Sequence, residues 1–230
     1  MIFNNRTEAG QELARHLRKY ANREDVLVIG TPRGGVPVAF EIAKALDLPL
    51  DILVLRKLGV PGQEELAFGA IASGEIRVLD RDTIEALRLD DQEIERVTRA
   101  EKRELNRRDR AYRGNRPALN VQRRTVIVVD DGIATGSSMR AAVRALKQMG
   151  AATIVIATPV APPSTCRELA AEVDDLVCLY APEQFYGVGQ FYVDFAPVSD
   201  AEVIETLNSA WRNEGDRSRE EVTRTRPHAK

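Results

Sequence analysis

A buried-strand pattern, Thr125 to Val129, runs straight into Asp130-Asp131-Gly132-Ile133-Ala134-Thr135-Gly136-Ser137-Ser138, after which a helical pattern begins. Paired carboxylates can accept hydrogen bonds from sugar hydroxyls or hold a hydrated Mg²⁺. The helix start offers unpaired N–H groups and a partial positive charge, which suit a phosphate. Thr135, Ser137 and Ser138 add hydroxyl donors, and Gly136 lets the backbone approach a ligand closely. One loop could thus grip a phosphorylated ribose, with its hydroxyls at the acidic end and its phosphate at the helix. An ordinary strand-to-helix turn capped by Asp131 or Ser137 is the alternative. Two adjacent acids at the end of a buried strand are costly without a partner, which favours the ligand.

Three further stretches could join that chemistry. Gly30-Thr-Pro-Arg33-Gly34-Gly35 is a glycine-rich turn carrying one arginine. It is not a nucleotide P-loop, because Val36 and Pro37 stand where Lys and Ser/Thr are required. Arg56-Lys57 places two cations at a strand end, where they could neutralise a departing anion. Phe185 to Phe195 is aromatic and irregular, able to stack on a planar substrate, with core packing equally open for each ring. The chain has only two histidines, His16 and His228, which argues against serine–histidine or cysteine–histidine nucleophiles and against a histidine-rich zinc site. His16 shares helical spacing with Leu13 and Leu17 and reads as a half-buried structural residue.

The elements that must position these loops follow from periodicity. Helices are expected over Thr7–Lys19, Val38–Leu46, Asp90–Arg113, Ser137–Met149, Ser164–Ala171 and Asp200–Trp211. Strands are expected over Val26–Ile29, Leu50–Leu55, Thr125–Val129, Thr153–Ala157 and Leu176–Leu179. Residues 56–68 read as a long loop, and Ala70–Ala72 with Ile76–Leu79 as a hairpin or kinked pair. Strands apolar on both faces, alternating with helices, define an α/β fold: a mainly parallel sheet flanked by helices, with ligands beyond the strands' carboxyl ends. Residues 1–211 form one domain, with a small hood at about 180–198, and the polar stretch 212–230 is expected to be a disordered tail.

VIVVDDGIATGSS resembles the phosphoribosyl pyrophosphate (PRPP) motif of type I phosphoribosyltransferases, with Gly132 standing where that family carries an aliphatic residue. Arg-Lys-x-Gly-x-Pro-Gly at 56–62 looks like the catalytic loop of the adenine enzymes, as does Ala134. The aromatic stretch is similar to the hood of the hypoxanthine-guanine group, and Phe3-x-x-Arg6-x-x-Ala9-Gly10 resembles a bacterial subgroup without an assigned acceptor. By this resemblance, Asp130, Asp131, Arg56 and Lys57 are catalytic. Arg33, Gly34, Ala134, Thr135, Gly136, Ser137 and Ser138 bind PRPP, Phe191 and Tyr192 face the base, and Mg²⁺ sits at Asp130 and Asp131, through water. The reaction implied is transfer of ribose 5-phosphate from PRPP to a nitrogenous, purine-like acceptor by a homodimer. No residue stands out as general base; Glu64 and Glu65 lie near the loop.

Composition bounds the partners. With 33 basic and 35 acidic residues, a net charge of −2 and a pI near 5.9, bulk charge holds the chain to neither nucleic acid nor membrane. No run of 18 apolar residues occurs, and Cys166 and Cys178 make no disulfide framework, so the cytoplasm is the expected location. The total conceals a local excess, since residues 99–124 hold ten Arg/Lys against three acids. That segment motivates a second reading, a PRPP-sensing regulator that binds nucleic acid without catalysis.

Overall fold

The computed structural model describes residues 2–224, giving the backbone alone for Glu65 and for residues 213–224. Helix α1 (Arg6–His16) leads into β1 (Val26–Gly30), α2 (Gly35–Leu46) and β2 (Leu50–Ile52). An insertion follows: β3 (Leu55–Val60), β4 (Gln63–Ala72), β5 (Ile76–Leu79), α3 (Arg81–Leu87) and α4 (Asp91–Arg113). The alternating pattern then resumes with β6 (Thr125–Val129), α5 (Ser137–Gln148), β7 (Thr153–Val160), α6 (Pro163–Ala170), β8 (Asp175–Tyr180) and α7 (Asp200–Arg224).

Five strands form a sheet in the order β2-β1-β6-β7-β8, every adjacent pair parallel. Every residue of β1 and β6 is buried, which is why their sequences are apolar without alternation. Side chains nonetheless sort by face with the strand period of two. Val26, Val28, Ile127 and Val129 pack in one core with Leu13 of α1, Ile42 of α2 and Leu207 of α7. Leu27, Ile29, Val126 and Val128 pack in a second with Met139, Val143 and Leu146 of α5. The helices therefore cover both faces, as the pattern implied.

Two expectations are corrected. Residues 56–68 are not a long loop; β3, β4 and β5 form a separate antiparallel sheet in which Arg56 pairs with Ile71 and Lys57 with Ala70. Leu58, Val60 and Phe68 are buried, while charged residues and glycines interrupt the apolar pattern along the strands. His16 is exposed rather than half-buried, because Leu13 and Leu17 take the buried stripe and its ring nitrogen sits 3.1 Å from the Glu12 carbonyl. The final helix begins at Asp200 as expected and its backbone continues to Arg224. The tail expected from 212 falls on side chains outside the described residues beyond Arg212, and 225–230 lie outside them altogether.

Candidate active site

Strands β1 and β6 are neighbours, with Gly30 opposite Val129, so the loops that follow them leave the sheet side by side. The Thr31 amide and hydroxyl each donate to the Val129 carbonyl at 3.0 Å, stitching the two strand ends together. Gly34 then lies against the acidic loop: a Cβ there would stand 1.9 Å from Asp131 Oδ2, a position no side chain can occupy. The Pro32–Arg33 peptide between them is cis. Arg33 is half-exposed at the loop's rim, its guanidinium 3.8 Å from Asp200.

The two acids have different surroundings. Asp130 Oδ1 accepts from the Asp131 amide at 3.0 Å. Burial, and then the charge of Asp131, push the Asp130 carboxyl well above the ordinary carboxylate range. Asp131 instead has a cation. Arg6 Nε donates to its Oδ2 at 2.8 Å, both side chains being largely shielded from solvent. Arg6 is fixed in turn by a bond to the Ala196 carbonyl at 2.9 Å and by the Phe195 ring, 4.1 Å below its guanidinium. The Tyr192 hydroxyl donates to the Asp131 carbonyl at 2.6 Å.

The phosphate end of the loop is open. Helix α5 starts at Ser137 after Gly136, which has no side chain to cap it, and the Ser137 amide donates to the Thr135 hydroxyl at 3.4 Å. The N–H groups that follow Ser137 in the first turn are therefore available to an anion. Ala134, Thr135, Ser137 and Ser138 are exposed, with the Thr135 and Ser137 hydroxyls 3.1 Å apart. The loop is braced from outside: Thr165 donates to the Ala134 carbonyl at 2.8 Å and Arg140 to that of Thr135 at 2.7 Å.

The remaining expected residues divide. Successive strand residues point to opposite faces. Arg56 turns to α4, where its Nε meets Glu101 at 2.6 Å. Exposed Lys57 turns the other way, into a 340 Å³ groove that also contains Ser137, Arg140 and Arg144. Of the adjacent pair, only Lys57 borders the groove that contains Ser137. Phe191 and Tyr192 are each 6 % exposed and form a third core with Phe3, Ala9 and Val160, so their rings hold the hood together. Phe185 and Phe195 are half-buried beside them, and Tyr186 is 90 % exposed. Glu64 is exposed and accepts from the Gly62 amide within its own turn.

Arg6 appeared in the sequence only as part of the opening motif, with no role in the site assigned to it. Its signal was a cation in the first turn of a helix, where the dipole disfavours positive charge unless an acid compensates. The departure at Gly132 also has a cause: a Cβ there would stand 2.3 Å from Val188 of the hood, which fills that space.

As to Mg²⁺, Asp130 and Asp131 supply the hard oxygen donors it prefers, and a cation beside Asp130 would relieve a buried charge that Arg6 does not reach. Among the described residues no cluster of three potential ligands forms a cage. The residues present fit a hydrated ion brought by substrate phosphates and held by one or two carboxylates. No helix among the described residues is long and apolar enough to cross a membrane.

Comparison with known proteins agrees with this layout. Two curated relatives from Mycobacterium tuberculosis, strains CDC 1551 and H37Rv, carry the provisional name phosphoribosyl transferase. Each is 43% identical over 212 residues, which is 92% of this chain and 48% of theirs. The chain thus spans about half the length of the curated relatives it matches. The crystal structure of TT1426 from Thermus thermophilus is 39% identical, with a TM-score of 0.80 over 90% of this chain and 98% of that one. Residues 2–196 match the phosphoribosyl transferase domain, so the chain belongs to the phosphoribosyl transferase family.

Proposed function

We propose that the protein transfers the 5-phosphoribosyl group of PRPP, with Mg²⁺, to a nitrogenous acceptor in the cytoplasm and releases pyrophosphate. The observation that carries this is the closure of Gly34 on Asp131, which brings a glycine-rich turn against the acidic loop that leads into the start of α5. In the reaction, a nitrogen lone pair of the acceptor forms the bond to C1 while the C1–oxygen bond breaks, and that electron pair leaves on pyrophosphate.

The residues divide the work by charge. Asp130 and Asp131 accept from the ribose hydroxyls and offset positive charge developing on the sugar ring. Thr135, Ser137, Ser138 and the amides around Gly136 hold the 5-phosphate. Arg33 and the Gly34 amide face the pyrophosphate, and Lys57 approaches from the hairpin side. Bound Mg²⁺ would neutralise charge on the leaving group. The acceptor lies under the hood, where Phe185 and Tyr186 carry the accessible aromatic surface.

A screen of free bases and simple amines with PRPP and Mg²⁺, scored by pyrophosphate release, identifies the acceptor. Replacing both Asp130→Asn and Asp131→Asn should lower turnover at least 100-fold, about 2.7 kcal/mol of barrier, with the fold retained. Full activity in that variant overturns the assignment.

A further inference from the structure

Helix α4 buries Ile94, Thr98, Leu105 and Tyr112 along one side, and the residues it leaves exposed between 96 and 111 recur at helical spacing. Among them are Arg96, Arg99, Arg103, Arg107 and Arg110, with two alanines, one asparagine and no acid between them. Most other charges of the 99–124 excess are spent internally. Lys102 pairs with Glu75, Arg107 and Arg108 share Glu104, and Arg113 is buried between Asp51 and Asp109. Arg116 lies 4.0 Å over the Trp211 ring. Within the described residues, Arg96, Arg99, Arg103 and Arg110 stand in no ion pair.

We propose that this arginine face is a docking surface for the phosphodiester backbone of a nucleic acid, a role separate from the proposed transfer reaction. Arg96 to Arg110 spans about 21 Å of helix axis, with a cation every turn or so. Arginine's weakly hydrated, planar fork suits phosphate oxygens. Arg96 and Arg103 also border a groove against the hairpin whose wall carries Glu64 and the Arg56–Glu101 pair, so the basic track is confined to the helix face itself. Other occupants fit less well. A second copy would set like charges against each other if the face paired with itself, and the only apolar residues on it are two alanines, too little to anchor in a bilayer.

The test is fluorescence anisotropy with mixed-sequence single-stranded and duplex oligonucleotides across 20–200 mM salt. With about four phosphate contacts, log K should fall against log salt with a slope near −3 for single strands. The triple variant Arg96→Gln, Arg103→Gln, Arg110→Gln should weaken binding at least tenfold and flatten that slope. None of the three belongs to the phosphate or acid loops, so its melting temperature and PRPP-dependent turnover should stay unchanged. A second triple variant away from this face, Glu12→Gln, Glu168→Gln, Glu172→Gln, should not weaken binding. Absence of binding at 20 mM salt, equal binding by the arginine variant, or tighter binding to phosphatidylserine vesicles or polyglutamate overturns the proposal.

Discussion

At the scale of single residues, the site is governed by what cannot be added to it. Gly34→Ala would drive a methyl into the Asp131 carboxylate, and the acid, tied to Arg6, cannot retreat freely. Turnover should fall at least 100-fold while thermal stability drops by no more than the strain of one shifted loop; near-normal turnover in purified Gly34→Ala would show that the two loops need not touch. Gly132 offers a cleaner measurement, because its obstacle is a single side chain. Gly132→Val should overpack against Val188 and cost about 1–3 kcal/mol. Adding Val188→Ala should restore most of that loss, and urea denaturation of the two single variants and the double closes the cycle. Additive losses would mean that the clash is relieved elsewhere. Sequence alone showed Gly132 only as an odd residue in a motif, since its reason lies more than fifty positions away.

At the scale of elements, α4 fastens the insertion to the main sheet through one buried cation. Arg113 donates to Asp51 at 2.7 Å, to Asp109 at 3.1 Å and to the Ile52 carbonyl at 2.7 Å. Burial raises the Asp51 carboxyl above its ordinary value of 3.8 even though Arg113 opposes the shift. A carboxyl whose folded value exceeds its unfolded one contributes its full stability below the unfolded value and loses it as pH rises through the folded one. Arg113→Met removes the opposing charge and enlarges that shift. Its cost should therefore be small near about pH 4 and reach about 3 kcal/mol at neutral pH. Urea unfolding at both pH values checks this, and a loss independent of pH would place the effect in packing alone. The same helix carries a defect, since the Thr98 hydroxyl is buried without a partner. Thr98→Val should raise stability by about 1 kcal/mol, read from the same denaturation curves. The strands β1, β6 and β7 were readable in sequence because both faces are buried and each is an unbroken apolar run. The hairpin over 55–72 was not, because no unbroken apolar run marks it. Arg56, Lys57, Gly59, Pro61 and Glu64 interrupt its pattern, and its pairing is a long-range fact. The acid loop and helix start were equally plain, whereas Arg6 was not, because its acid lies 125 residues downstream.

At the scale of the whole molecule, the two ends of the matched region close on each other, and the site lies beneath the join. The Phe3 amide donates to the Phe191 carbonyl and the Val193 amide to that of Phe3, both at 2.8 Å, and Phe3 bridges Tyr192 in parallel. Phe3 is 3 % exposed in the third core, so the segment before α1 acts as a seam for the hood. From that seam, Arg6 and Tyr192 reach Asp131, its carboxylate and its carbonyl respectively. Hood order and acid geometry are thereby coupled through contacts, with no motion required to link them. Phe3→Ala should cost about 3 kcal/mol locally by cavity formation. Because the sheet cores do not contain Phe3, the loss should appear as opening of one cooperative unit rather than of the whole fold. Hydrogen exchange by mass spectrometry should speed up over residues 185–196 and the first turn of α1, while Val126–Val129 keep their protection. The same variant should raise the KM for PRPP more than it lowers kcat, because Asp131 loses its bracing while the phosphate loop on α5 is untouched. Uniform acceleration of exchange across strands and hood would show that the seam stabilises the fold as a whole, and an unchanged KM would show that Asp131 holds its place without the hood.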